Sequence, residues 1–412
     1  MQRYEKYKDS GIKWLGEIPE HWEVRKIKYL FNEINERALD GSGDLLSVSQ
    51  YSGVQKKADK LNEGDLLTNA STLEGYKVVR KKQLVSNIML AWNGSLAFSD
   101  YDGITSPAYC VYELKANNYY KYFHYLLKTG IYKSEFKRKS SGVIESRLRL
   151  YTEDFFSISS ILPPIHEQYS IANFLDNKCA KIDGAIILKE QQIEKLKELQ
   201  QISIHNAVTK GITHSSGEVV KMRDSGIDWI GEIPEYWDVM PIKYFTYMQS
   251  GETISAENFV EEGYPVFGGN GFRGYAKRYT NEGKTILIGR QGALCGNVNY
   301  ADGKFFASEH AIVVYPTKEV NLKWLGEIIR LADFNRLSQS AAQPGIAVNV
   351  IKNVLFPFPS FKEQCIIGDY LNEQTSKIDK AIAQKQEQIV KLKEYKQSLI
   401  NEVVTGKLKV VD

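Results

Sequence analysis

One pattern is written twice in this 412-residue chain, and that repetition restricts the fold more than any single motif. The stretch 9–22 reads Asp-Ser-Gly-Ile-Lys-Trp-Leu-Gly-Glu-Ile-Pro-Glu-His-Trp. It recurs at 224–237 with eleven of fourteen positions identical, at an offset of 215. A second set of matches has an offset of 196: Glu167-Gln168 with Glu363-Gln364, Lys181-Ile182-Asp183 with Lys377-Ile378-Asp379, and Lys195-Leu196-Lys197-Glu198 with Lys391-Leu392-Lys393-Glu394. The order is opening motif, variable stretch, long polar helix, and then all three again. The first variable stretch is therefore the longer, by 19 residues. The period is too long for a solenoid and fits a duplicated two-part unit. Four segments follow: 1–164, 165–212, 213–360 and 361–412.

The two variable stretches read as mixed α/β. Val78-Val79, Ile88–Trp92 and Tyr109–Tyr112 have strand composition between turn residues, as do Thr285–Ile288 and Ala311–Tyr315 in the second copy. A helix is expected after each last strand, over 119–127 and 322–332.

The repeated segments between and after them are helical in a different way. From about Gln168 to Ala207 there is no Pro and a single Gly. In the second copy Ile378, Ile382, Lys385, Ile389, Leu392, Lys396, Leu399 and Val403 are spaced 4-3-4-3-4-3-4, a heptad seam. The first copy repeats it with Ile182, Ile186, Lys189, Ile193 and Leu196 before Gln200, Ser203 and Ala207 weaken it. Helices of roughly 38 residues would be on the order of 57 Å long. So narrow an apolar stripe needs a partner, and the other copy supplies one. The fold expected is α+β and internally duplicated: two α/β domains separated by two long antiparallel coiled-coil helices, related by a pseudo-two-fold axis.

Composition excludes several classes. The net charge is only +3, so a nucleic-acid surface has to be a local patch. No run approaches the roughly 18 apolar residues of a membrane span. The charged N-terminus lacks the apolar core of a secretory signal. Four scattered cysteines without a C-x-x-C pair fit a reducing cytoplasm.

The opening motif, the Pro163-Pro164-x-x-Glu167-Gln168 exit and the Lys-x-x-x-Leu-Lys-Glu helix resemble the specificity subunits of type I restriction-modification systems. The second exit departs, reading Pro359-Ser360-Phe361-Lys362-Glu363-Gln364. The resemblance spans essentially the whole chain. It implies a DNA-binding, non-catalytic subunit whose two target-recognition domains each read half of a split double-stranded DNA sequence. It also implies that the helices set the spacer and recruit two methyltransferase subunits, with restriction/translocase subunits joining. S-adenosylmethionine is then expected on the methyltransferase partner, and ATP and magnesium on the restriction partner, with none on this chain.

Enzyme readings are weaker. Phe267-Gly268-Gly269-Asn270-Gly271 fits a methyltransferase Phe-x-Gly-x-Gly turn, but Pro265 stands where an acid should precede it, and no helix opens after it. Asp102 with Glu113-Leu114-Lys115 has a magnesium-nuclease spacing, yet Glu113 falls on Tyr315 or Pro316 in the second copy, which lacks the triplet. The six histidines show no metal-ligand spacing. A stand-alone methyltransferase or endonuclease is the alternative, and a coiled-coil scaffold with inactive domains is a third reading.

Candidate DNA contacts follow from charge and amide chemistry. Phosphate contacts are expected from Lys137-Arg138-Lys139-Ser140, read as a loop, with Arg147 nearby, from Arg80-Lys81-Lys82, and from Arg336, Gln339 and Gln343 in the second domain. Base readout is expected at two turns taken as equivalent, Trp92-Asn93-Gly94 and Arg290-Gln291-Gly292, and at Asn270 and Arg273.

Overall fold

The computed structural model describes residues 2–60, 72–144, 147–212, 220–292, 294–338 and 345–410. Two compact units emerge, Met1–Leu188 with Glu387–Asp412, and Lys189–Gln386. Each contains one variable domain and a stretch of both long helices.

The helices run Ile165–Lys210 and Phe361–Val404, 46 and 44 residues. Both exceed the length expected from sequence, because the first turn begins directly after the prolines of the exit. The seam is buried as its spacing requires: Ile182, Ile186, Ile193, Ile378, Ile389 and Leu399 are buried, and Leu196, Ile382 and Leu392 are half-buried. Pairing is antiparallel. In the first unit Lys396 Nζ donates to Asp183 at 2.6 Å. In the second, Lys385 Nζ donates to Gln192 Oε1 at 2.7 Å, and Gln200 Nε2 to Asp379 at 3.0 Å. Gln200, one of the positions that weaken the seam, thus pairs across it.

Each domain is built on the same four-stranded antiparallel sheet. In the first, the order is Phe31–Ile34, Tyr109–Leu114, Leu84–Asn87, Leu96–Phe98; in the second, Thr246–Ser250, Ala311–Pro316, Thr285–Gly289, Val298–Ala301. A helix covers each sheet, Tyr120–Leu127 and Leu322–Leu331. The domains differ outside this frame. The second adds a five-stranded sheet containing the hairpin Tyr264–Gly268/Gly271–Ala276. The first has, among the described residues, a short hairpin, Leu46–Ser49 with Gly53–Lys56, and a separate antiparallel pair, Lys77–Val79 with Gly103–Thr105.

Two local expectations are corrected. Ile88–Trp92 is not a strand: the strand ends at Asn87, and Ala91–Asn93 forms a 3-10 turn closed by Gly94 at φ 101°. Lys137–Lys139 is not a loop but the last turn of the helix Gly130–Lys139. Tyr132 and Phe136 bury the opposite face of that helix, which overrides the local polarity.

The repeated motifs act as clamps. Asp9 and Asp224 each accept a backbone N–H two residues on, from Gly11 and Gly226, at 2.9 Å. Ser10 and Ser225 do the same for Ile12 and Ile227. The exit glutamines explain the Glu-Gln signature. Gln168 Oε1 accepts Tyr119 N at 2.8 Å while its amide donates to Pro163 O; Gln364 does the same with Asn321 N and Pro359 O. Both are buried, and each ties a covering helix to the start of a long one.

His124, on the helix Tyr120–Leu127, lies near the rings of Phe98 and Tyr125. Burial, reinforced by the Lys128 charge, lowers its pKa to about 4. The unfolded chain takes up that proton near pH 6.5. Stability should therefore fall as pH drops from about 6.5 to about 4, by up to about 3 kcal/mol from this group. His124→Leu should flatten that part of an unfolding-midpoint profile.

Candidate DNA interface

The connection between the last two strands of each sheet, 88–95 in the first domain and 290–297 in the second, is held in one frame. Asn87 N donates to Ser95 O, and Gly289 N to Asn297 O. Asn93 N bonds Leu90 O as Cys295 N bonds Gly292 O, and Leu150 N meets Ile88 O as Ile346 N meets Arg290 O. These bonds match Ile88 with Arg290, Met89 with Gln291, Trp92 with Leu294 and Gly94 with Gly296. The sequence pairing of Asn93-Gly94 with Gln291-Gly292 is thus overturned. Gly292 and Gly296 both have positive φ, 88° and 85°, so the local pattern offers two candidates and only the ladder selects one.

In the first domain the structure brings Trp92, Asn93 and the Lys137 turn together. Trp92 Nε1 donates to Met89 O at 3.0 Å, and Lys137 Nζ sits 5.4 Å from the indole centroid. Lys133 packs so closely on Gly94 that a Cβ there would lie 2.5 Å from its Cε. Asn93 Oδ1 accepts from Ser95 Oγ. Arg138 does not belong to a free cluster, because it forms a bidentate pair with buried Glu135, both bonds 2.6 Å. Ser140 Oγ caps its own helix by donating to Phe136 O, and Arg147 is exposed.

Arg80–Lys82 lies on a separate turn. Arg80 is bound by Glu36 at 2.6 and 2.8 Å, Lys81 N donates to Asp102, and Lys82 Nζ is 5.8 Å from the Tyr120 ring. Glu36 thus offsets the Arg80 charge on that turn.

These partners change what mutagenesis should give. Lys137→Ala with Lys139→Ala should flatten the log–log salt dependence of DNA binding by roughly 1.8 if both reach phosphates. Arg138→Ala should instead reduce stability, since it strands a buried carboxylate. Binding titrations at several salt concentrations check the first and denaturant unfolding the second.

In the second domain Asn270, Arg273 and Gln291 line one depression of about 290 Å³, together with Gly269, Leu294 and His310. The Gly268–Gly274 stretch is a β-hairpin with Gly269-Asn270 at its tip. Arg273 lies 5.8 Å from the Phe259 ring. Arg290 Nη1 donates to Glu309 O at 3.4 Å, so it braces the wall of the depression. His310 was not singled out in the sequence, where nothing sets it apart. Its Nδ1 is 3.1 Å from Gln291 Oε1 and its Nε2 3.1 Å from Glu309 Oε1. Arg336 is apart, donating to Ala332 O and lying 5.7 Å from the Trp229 ring. Gln339 and Gln343 lie outside the described residues.

Among the described residues no group of three or more His, Cys, Asp or Glu could hold a metal, and no helix is long and apolar enough to cross a membrane. The four cysteines are free thiols. The triplet considered for a nuclease is split between separate partners: Asp102 accepts Lys81 N, and Lys115 donates to Lys28 O.

Known proteins match this arrangement. The sequence profile described as type I restriction modification DNA specificity domain matches residues 19–198 and 234–392. The EcoprrI specificity subunit of Escherichia coli is 40% identical over 131 residues, covering 31% of this chain and 33% of that protein. The MjaVIII specificity subunit of Methanocaldococcus jannaschii is 24% identical over 98% of this chain and 97% of its own length. In fold, the chain resembles one from a solved type I R-M system at a TM-score of 0.72 and 16% identity, covering 95% of this chain and 99% of that one. With the profile matched in both halves, the chain belongs to the type I restriction-modification DNA specificity family.

Proposed function

We propose that this chain is the DNA-recognition subunit of a type I restriction-modification complex, each domain reading one half of a bipartite duplex target. One observation carries the reading: an identical strand frame presents different side chains at matched positions. The first domain shows Met89, Trp92 and Asn93, and the second shows Gln291 and Leu294 beside Asn270 and Arg273. Amides and guanidinium groups read base edges, while apolar side chains meet sugar or thymine methyl groups. Two different surfaces on one frame suit two different half-sites.

The duplicated framework would hold two methyltransferase subunits, with restriction/translocase subunits completing the complex in the cytoplasm. Ile187, Leu188, Val390 and Tyr395 leave apolar surface exposed on the long helices, which supports docking there. S-adenosylmethionine would be bound by the methyltransferase partner, and ATP and magnesium by the restriction partner. The paired helices would set the spacer between half-sites.

Selection of duplexes from a randomised pool by the full chain, with and without a methyltransferase subunit, tests the reading. Enrichment of two short motifs at a fixed separation is expected. A single continuous motif, or none, would count against it.

A further inference from the structure

We infer that the exposed pairs Lys28-Tyr29 and Lys243-Tyr244 are two equivalent docking sites for two copies of one protein partner, the methyltransferase subunit. The inference rests on the assembly proposed above and adds to it a surface on each domain, apart from the long helices.

The observation is a repeat of exposed side chains. Ile27-Lys28-Tyr29 recurs as Ile242-Lys243-Tyr244, at the offset of the opening motif. Both triplets form a 3-10 turn between the strand at the base of the domain and the first strand of its four-stranded sheet. Leu30 N donates to Ile27 O at 2.8 Å, and Phe245 N to Ile242 O at 3.1 Å. The isoleucine is buried in both copies, which accounts for its recurrence. Packing does not account for the other two residues. Tyr29 and Tyr244 are each 58% exposed, and both lysines are exposed as well. The ammonium of each lysine lies over the ring that follows it, 4.9 Å from the Tyr29 centroid and 5.5 Å from that of Tyr244. Neighbouring positions differ between the copies: Arg25 and Lys26 correspond to Met240 and Pro241, and Asn32 to Tyr247.

Identical exposed pairs on diverged domains fit something that both domains meet in the same form. Two half-sites of DNA share a phosphate backbone, and a two-domain assembly shares its protein subunit. Sheet topology favours the protein. In the first domain Tyr109 pairs with Asn87, where the candidate DNA turn begins, and Leu114 at the other end of the same strand pairs with Phe31. In the second, Ala311 pairs with Gly289 and Pro316 with Thr246. Each six-residue central strand thus sets the Lys-Tyr turn roughly 17 Å from the DNA turn, at about 3.4 Å per residue. The Lys-Tyr turn lies at the end of the sheet where a long helix begins. Lys115 N donates to Leu30 O and Tyr119 N to Gln168, as Thr317 N donates to Phe245 O and Asn321 N to Gln364. The chemistry of the pair defines the complementary surface: a carboxylate for the ammonium, beside an apolar hollow with an acceptor for the tyrosine hydroxyl.

The test is binding of the purified methyltransferase subunit to the full chain, counted by native mass spectrometry and measured by titration calorimetry. The unaltered chain should take two copies. The double variants K28A/Y29A and K243A/Y244A should each weaken one copy by about tenfold, as loss of a tyrosine at an interface does, and the four-residue variant should weaken both. Y29F and Y244F, which keep the ring, should lose less. Because the positions are exposed, thermal unfolding of every variant should stay near that of the unaltered chain. Two copies bound at unaltered affinity by the four-residue variant overturn the inference and leave docking on the long helices standing. A flattened salt dependence of DNA binding with unchanged methyltransferase affinity assigns the pairs to phosphates and overturns it too. An unaltered chain that binds no methyltransferase subunit overturns the assembly reading and this inference with it.

Discussion

Glu167→Ala should destabilise the first unit by about 3–5 kcal/mol, whereas Glu363→Ala at the matching position should cost only about 1 kcal/mol. The Glu-Gln exit, identical in both copies, gives no hint of this asymmetry. Glu167 is buried and accepts from Tyr4 Oη at 2.7 Å, Trp22 Nε1 at 3.1 Å and, when that nitrogen carries the hydrogen, His21 Nε2 at 2.5 Å. Burial and the Glu167 carboxylate together push the Tyr4 hydroxyl well above its usual range, so it stays a donor. Removing the carboxylate takes the acceptor from the buried Tyr4 and Trp22 donors.

Glu363 is half-buried and accepts from Tyr236 Oη at 2.9 Å, while Trp237 Nε1 is buried with no hydrogen-bond partner among the described residues. In the sequence, Val219 falls at the opening-motif offset from Tyr4, outside the described residues. Glu167→Gln, which keeps an acceptor oxygen, should recover part of the loss. Hydrogen exchange around residues 4–22 and 221–237 reads the two sites separately, which global unfolding of a two-unit chain does not. Equal loss of protection at both sites would refute the asymmetry.

Exchanging residues 23–164 for the first domain of another family member should replace one half of the DNA target completely and leave the other half unchanged. The cut points lie in matched structure. The strand Glu23–Lys26 pairs with Ser159–Leu162, and Asp238–Pro241 pairs with Leu355–Phe358, so each domain is closed by a strand pair at its own base. The groups that clamp those ends remain outside the exchanged segment. Glu167, Gln168 and Trp22 stay, as does Gly406, where a Cβ would lie 2.5 Å from Pro19 Cδ. Gln168 must be rejoined to Tyr119 N and Pro163 O, both backbone groups that other residues also supply, whereas the bonds of Lys121 and Tyr125 to Asp176 and of Tyr122 Oη to Val404 O need matching side chains in the incoming domain. Methylation-site mapping in the host reads the outcome. If both halves of the target changed together, recognition would not be modular.

The duplication and the apolar seams of the two long helices were legible in the sequence because each is a periodic signal. Ile182, Ile186 and Ile193 and their counterparts Ile378, Ile382 and Ile389 announce a buried stripe without reference to anything distant. The roles of Gln168 and Gln364 were not legible. A buried amide joining Tyr119 N to Pro163 O needs two segments some fifty residues apart to meet, which no local pattern encodes. The same reason governs the DNA candidates. Lys137, Arg138 and Lys139 read as one basic run, but the helix turns them onto different faces and delivers Arg138 to Glu135. Arg80 is cancelled by Glu36, 44 positions away in the chain. Side-chain periodicity is a property of the chain, so the sequence determined the helices and the repeat. Charge pairing and hydrogen-bond partnership depend on distances across the fold, so tertiary structure alone decided which polar groups remain available to DNA.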